Sequence, residues 1–308
     1  MKKILVVGSL NLDIVLHVAH IPAPGETILS RRREFHEGGK GGNQAVAAAR
    51  LGADIAMLGC VGQDEAGNML ISSLENAGVD VSHVRRTPDA ETGCAYIYVS
   101  DEGQNNIVVF PGANSFVDTD VIDQNLALIK EASFCVVQME IPVKTLEHLC
   151  KVCSGLGVQV ILNPAPAQPI DPSVLSMVDF LIPNETELQI MTGMSGGYEE
   201  QAAELLRMGV KHVIVTLGEK GCLLADNTGT VYFPARKVHP VDTTAAGDAF
   251  IGGFTQSLAE GMTVEESIGF ATQVAAFSTT RKGAQPSLGT KSEVEAFFHT
   301  GLAQSASE

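Results

Sequence analysis

Short, unbroken apolar runs recur along this chain, and most are followed by a segment with helical spacing that stops at a glycine. "KKILVVGS" reads as a buried strand, and "GGNQAVAAARLG" (41–52) as a helix ending at Gly52. "DIAMLGCVG" is the next strand, and "DEAGNMLISSLENAG" a helix capped by Asp64 and stopped at Gly78. The rhythm resumes with the strand "FCVVQME" (134–140), a helix from Pro142 to about Ser154, the strands "VQVILNPAP" and "DFLIPN", the helix "NETELQIMTG" and the strand "KHVIVTLG" (211–218). Helices dominate from Ala245 to about Thr280. Strands alternating with helices must run parallel and be covered on both faces. The expected fold is therefore α/β, a mostly parallel central sheet with helices on both faces.

Two stretches break that rhythm. Residues 13–37 show extended patterning around a Pro/Gly turn, and "TGCAYIYVSDEGQNNIVVF" (92–110) reads as strand, turn, strand. Within a single domain spanning 1–308 they are expected to form a small β-sheet lid off the main sheet. The face of that lid turned away from a site would expose Tyr96, Tyr98 or Val109 and invite pairing with a second subunit.

The net charge of −16 argues against nucleic acid or an anionic membrane as partner, and makes any phosphate site depend on backbone amides or a metal. No apolar run approaches membrane-spanning length, and Asn11 and Asp13 interrupt the apolar N-terminus before any cleavage signal, so the expected location is the cytoplasm. Six scattered cysteines read as reduced thiols. Cys150 and Cys153 form a lone CxxC, read as two small apolar residues on the buried face of one helix.

Four segments carry polar chemistry. In "EGGKGGNQA" (37–45), Gly39, Lys40, Gly41 and Gly42 lead into Asn43 and a helix. The spacing fits neither the Rossmann nor the Walker fingerprint, but bare backbone before a helix N-terminus favours a polar or anionic ligand; the alternative is a flexible loop. Asn11 and Asp13 in "GSLNLD" point to one side of an extended segment, as a polyol site needs, or else form an Asx turn. Asn184 and Glu187 in "PNETE" can orient water around Mg²⁺ or pair as a capping box, and both can hold together. In "DTTAAGDAF" (242–250), the amides of Ala245, Ala246 and Gly247 can form an anion hole at a helix start, with Asp248 placed to take a proton from an attacking hydroxyl. The plain alternative is that Asp248 favours the helix dipole and Asp242 caps a turn.

Taken in order, "GGKGGNQA", "NPAPA", "PNETE", "VTLGEKG", "DTTAAGDAF" and "TRKGAQPS" resemble the ribokinase branch of the carbohydrate kinase family, from the first strand to about residue 299. Ala245 departs from the glycine of the wider family and matches the branch. The resemblance implies ATP-dependent phosphorylation of D-ribose at its 5-hydroxyl, with Mg²⁺ and K⁺, in a homodimer joined through the lids. It assigns Asn11, Asp13, Gly39, Lys40, Asn43 and Glu140 to the sugar, and Asp248 as base. It assigns Asn184, the loop Thr216, Leu217, Gly218, Glu219, Lys220 and Gly221, then Gly247 and Thr272 to the nucleotide. Asp242, Thr244, Ser278, Arg281, Gly283 and Ser287 match the monovalent-cation loop, mainly through backbone oxygens. Deoxyribose, another small sugar or a nucleoside remain as acceptors, and a non-catalytic sugar-binding regulator as a different class.

Overall fold

The computed structural model describes residues 2–305. Among these residues, thirteen strands form two sheets. They are β1 (Ile4–Val7), β2 (Asn11–Val18), β3 (Arg32–Gly38), β4 (Ile55–Gly62), β5 (Asp80–Thr87), β6 (Gly93–Ser100), β7 (Asn105–Phe110), β8 (Phe134–Gln138), β9 (Gln159–Asn163), β10 (Phe180–Leu181), β11 (His212–Thr216), β12 (Cys222–Asp226) and β13 (Gly229–Phe233). The large sheet has the order β13-β12-β11-β10-β9-β8-β1-β4-β5 and is parallel except for the β11–β12 and β12–β13 pairs. This is the expected α/β architecture. The edge strand β5 and the β12–β13 hairpin lie outside the sequence reading.

The central strands show why the apolar runs are unbroken. Along β1, Ile4 and Val6 enter one core with Met57, Phe250 and Phe254. Leu5 and Val7 enter the other, with Leu58, Cys135 and Leu149. Each strand thus feeds two cores, and only apolar side chains fit on either side. Cys150 and Cys153 of the helix Val143–Leu156 are fully buried there, as a packed helix face requires. Among the described residues, no helix is long and apolar enough to cross a membrane.

The small sheet has the order β3-β2-β6-β7. Its two outer pairs are antiparallel, and β2 and β6 join them in parallel. Register fixes its faces. His36, Asp13, Ala95 and Val109 lie directly across from one another on one side, and Phe35, Ile14, Tyr96 and Val108 on the other.

One close contact sets the geometry of the site. A Cβ at Gly252, in the helix Ala246–Glu260, would sit 2.4 Å from Cβ of Ala47 in the helix Lys40–Arg50. Only glycine lets the two helices approach so nearly, and their N-termini meet beyond the C-terminal ends of β9 and β11. Open parallel sheets bind ligands at that end.

Candidate active site

A cleft of about 200 Å³ opens there, lined by Lys40, Asn163, Asn184, Glu187, Thr216, Ala245, Gly247 and Asp248 among others. The glycine-rich stretch before the first of these helices has a steric cause. Gly39 takes φ +84°, and a Cβ on it would lie 2.7 Å from the amide nitrogen of Asn11. Gly41 and Gly42 are buried against residues 9 and 10. These glycines hold Lys40 and Asn43 beside β2, so their first role is packing. Glu140 closes the start of that helix by accepting from the Lys40 amide at 3.1 Å and from the Ser9 hydroxyl.

Asp248 sits in the first turn of its helix and is 7% exposed. Asn43 Nδ2 donates to its Oδ2 at 3.0 Å, and Gln44 Nε2 to its Oδ1 at 2.9 Å. Asn43 Oδ1 is buried with no partner among the described residues, so an acceptor stands unused beside the carboxylate. The preceding turn is held by Ala245, a non-glycine residue at φ 59°. That conformation strains an L-residue and is typical of functional turns. The Ala246 amide donates to Thr243 O at 3.2 Å, whereas those of Ala245 and Gly247 have no partner among the described residues. The expected anion hole thus has two free amides, with Ala246's held inside the turn. A Cβ at Gly247 would meet nothing within 4 Å, so open space adjoins the backbone there.

The charges are dense. Burial pushes the Asp13 carboxyl up to about 7, Glu140 and Asp248 add to the push, and Lys40 opposes it. For Lys40, burial works against the charge, but Asp248, Glu140, Glu187 and Asp13 outweigh it and raise the ammonium above its usual range. Burial likewise raises Glu187, although the Asn184 amide and Lys40 pull the other way. One lysine thus stands among four carboxylates. Asn11 is 2% exposed, and its Oδ1 accepts from Asn114 Nδ2 at 2.7 Å. Asn114 and Gln44 are partners that the motif reading did not include.

Asn184 and Glu187 form the capping box of the helix Glu185–Thr192, with both reciprocal bonds at 2.8 Å. This uses one oxygen of each side chain and leaves Glu187 Oε1 and Asn184 Nδ2 beside the cleft. Thr216 lines the same cleft. Gly218–Lys220 form an adjoining single turn with no buried residue. Thr272 is buried and its hydroxyl donates to Ile268 O at 2.8 Å, which leaves that oxygen only as an acceptor.

Asp242 ties two loops together. Its Oδ1 accepts from the amide and hydroxyl of Thr244, and its Oδ2 from the Gly283 amide at 2.8 Å. Burial would raise this carboxyl, but those donors and Lys282 outweigh it and hold it below the usual range. Ser278 and Ser287 bond to carbonyls within their own turns. The Arg281 side chain stacks on Phe277 and pairs with Glu293, and it is not among the residues that line the cleft.

The pattern of the pfkB family of carbohydrate kinases matches residues 1–291. The chain is similar to a ribokinase of Haemophilus influenzae, 38% identical over 301 residues that cover 96% of this chain and 98% of that one. It is similar to a deoxyribokinase of Salmonella typhi, 38% identical over 289 residues covering 92% and 94%. In three dimensions it resembles an Arabidopsis thaliana ribokinase complexed with ribose and ATP, with a TM-score of 0.90, 33% identity and coverage of 96% and 98%.

Proposed function

The chain belongs to the pfkB family of carbohydrate kinases, and from that premise we propose that it transfers the γ-phosphoryl group of ATP to the 5-hydroxyl of D-ribose. The observation that carries the reading is Asp248, fixed by two amide donors beside two free backbone amides at a helix N-terminus. A carboxylate so placed takes the proton of the attacking hydroxyl, while the amides of Ala245 and Gly247 and the helix dipole stabilise the transferring phosphoryl group. Ala246 joins them by giving up its turn bond. Lys40 offsets charge on the same side of the cleft. Phosphoryl transfer needs little else from the protein beyond positioning.

The sugar lies between the small sheet and the first helix, held by Asn11, Asp13, Gly39, Asn43 and Glu140. The unpartnered Asn43 Oδ1 is matched to a sugar hydroxyl. ATP lies against Asn184, the loop 216–221 and Gly247. Glu187 Oε1, and the second lone pair of Asn184 Oδ1, would accept from the water shell of Mg²⁺, which would supply positive charge against the nucleotide phosphates. The deoxyribokinase relative carries a second reading, deoxyribose as acceptor. ADP release with D-ribose, 2-deoxy-D-ribose, hexoses and nucleosides separates them. The highest kcat/KM is expected with ribose, a higher one with another acceptor replaces the reading, and silence with all of them leaves a sugar-binding protein.

The small sheet serves as lid and as dimer contact. Phe35, Tyr96 and Val108 are 43%, 40% and 60% exposed and form one apolar row on the face away from Asp13. A second copy of this sheet would cover that row. Sedimentation at micromolar concentration should give about twice the chain mass of 32.5 kDa. A fully active monomer would discard the contact. The six cysteines, all unpaired, fit a cytoplasmic setting.

A monovalent cation, K⁺ by preference, would sit between the loops that Asp242 joins. The Asp242 oxygens are already taken by Thr244 and Gly283, so the ion's ligands would be carbonyls of 242–244 and 278–287, which suits a large, weakly hydrated cation. The effect falls on kcat, because the next amides serve the transition state. At constant ionic strength, K⁺ should raise kcat severalfold over tetramethylammonium, with Na⁺ weaker. Equal rates in the three salts would remove the site.

A further inference from the structure

We propose that Gln44 is a positioning residue for phosphoryl transfer: it holds Asp248 in one orientation and offers it only a hydrogen-bond donor. The inference rests on the reading of Asp248 as the base. Gln44, Gln138, Asn163 and Asp248 are 1%, 0%, 7% and 7% exposed, and they come from four different elements. Gln44 Nε2 donates to Asp248 Oδ1 at 2.9 Å and to Asn163 Oδ1 at 3.1 Å. Its Oε1 accepts from Gln138 Nε2 at 2.6 Å. Asn163 is fixed in turn, donating from Nδ2 to Ile182 O at 3.1 Å.

An amide has two orientations, and these neighbours allow Gln44 one. Turned over, its oxygen would face the oxygens of Asp248 and Asn163, and its NH₂ would face that of Gln138. The contacts to Asp248 and Asn163 would be wrong at once, each costly where water is excluded, whereas Gln138, whose Oε1 has no partner among the described residues, could turn with it. Asn43, the other donor to Asp248, has no such lock, because its Oδ1 has no partner among the described residues. Gln44 is therefore the fixed point. A donor held on Oδ1 fixes the plane of the carboxylate and leaves its second lone pair for the incoming hydroxyl. The hydrogen-bond order runs from the end of β8 through the first helix to the reacting group.

Gln44→Met keeps the length of the side chain and removes the amide. The expected result is a kcat about 10–100-fold lower, with KM for ribose and ATP within about twofold, since the loss lies in orientation of the reacting group. Gln138→Met, which removes the donor to Gln44 Oε1 without touching Asp248, should lower kcat by less. This second variant keeps the test valid if Gln44→Met does not fold. In an Asp248→Asn background, Gln44→Met should lower kcat no further. An unchanged kcat in Gln44→Met, with or without a raised ribose KM, or a further loss of kcat on adding it to Asp248→Asn, overturns the inference while the base assignment stands. A near-normal kcat in Asp248→Asn alone overturns the base assignment, and the inference with it.

Discussion

Asp248→Asn lowers kcat by about 10²–10⁴-fold and leaves the KM for ribose and ATP nearly unchanged, the expected size for a lost general base. The substitution is isosteric, so packing around the site survives. It does create one local conflict, because both carboxylate oxygens accept from amide NH₂ groups, and the new NH₂ must face one of them. The structure supplies the remedy at Asn43. Its Oδ1 has no partner among the described residues, so that side chain can turn over and accept the new donor, and its NH₂ then meets the sugar hydroxyl as donor instead of acceptor. Stability should therefore change little while the chemistry fails, and thermal unfolding of the variant separates the two. A near-normal kcat would reduce Asp248 to a residue that favours the helix dipole.

The central sheet could be read from sequence because its strands are buried on both faces. β1, β4 and β8 are apolar at nearly every position for that reason. β5, "DVSHVRRT", has solvent on one side and hydrogen-bonds to β4 only, so its polar residues hide the strand. β13 is an exposed edge held by β12 alone. Its existence depends on a partner that local patterning does not show. The site behaves similarly. Asp248 and Asn43 sit in motifs with bare backbone, which draws attention to them. Gln44, Gln138 and Asn163 carry a fainter signal, one polar residue in or at the end of an apolar run. Such a residue is buried, must be paired, and at the C-terminal end of a parallel strand faces the ligand crevice. Their convergence on one carboxylate depends on how the strands are ordered, which no local stretch contains. Asn114 is further removed, reaching Asn11 from 103 positions away.

Asp13→Asn raises the KM for ribose by on the order of 10-fold or more and leaves that for ATP little changed, because sugar hydroxyls lose a charged acceptor in a partly dry site. The same variant should be more stable than the parent above pH 7. Burial, Glu140 and Asp248 raise this carboxyl from 3.8 to about 7, so the folded chain binds its proton more tightly than the unfolded chain does. Stability on this account is greatest below the unfolded value. It falls as pH rises from about 4 to about 7, and it levels off once the folded group has ionised. Asparagine carries no such charge, so its advantage in Tm should be present at pH 8 and absent at pH 4. Ribose acts in the opposite sense to the fold. Its hydroxyls donate to the ionised carboxylate, so in the parent the ribose KM should rise as pH falls below about 7, a dependence the variant lacks. Gly38 shows that the chain makes room for this group, since a Cβ there would lie 2.3 Å from Asp13 Oδ2. Steady-state kinetics between pH 6 and 8, with melting curves at pH 4 and 8, test both halves. An unchanged ribose KM would take Asp13 out of the sugar site. A Tm advantage equal at the two pH values would mean that the carboxylate is not held against its preference. Both effects together would identify a group that costs the free enzyme stability because the bound sugar needs its charge.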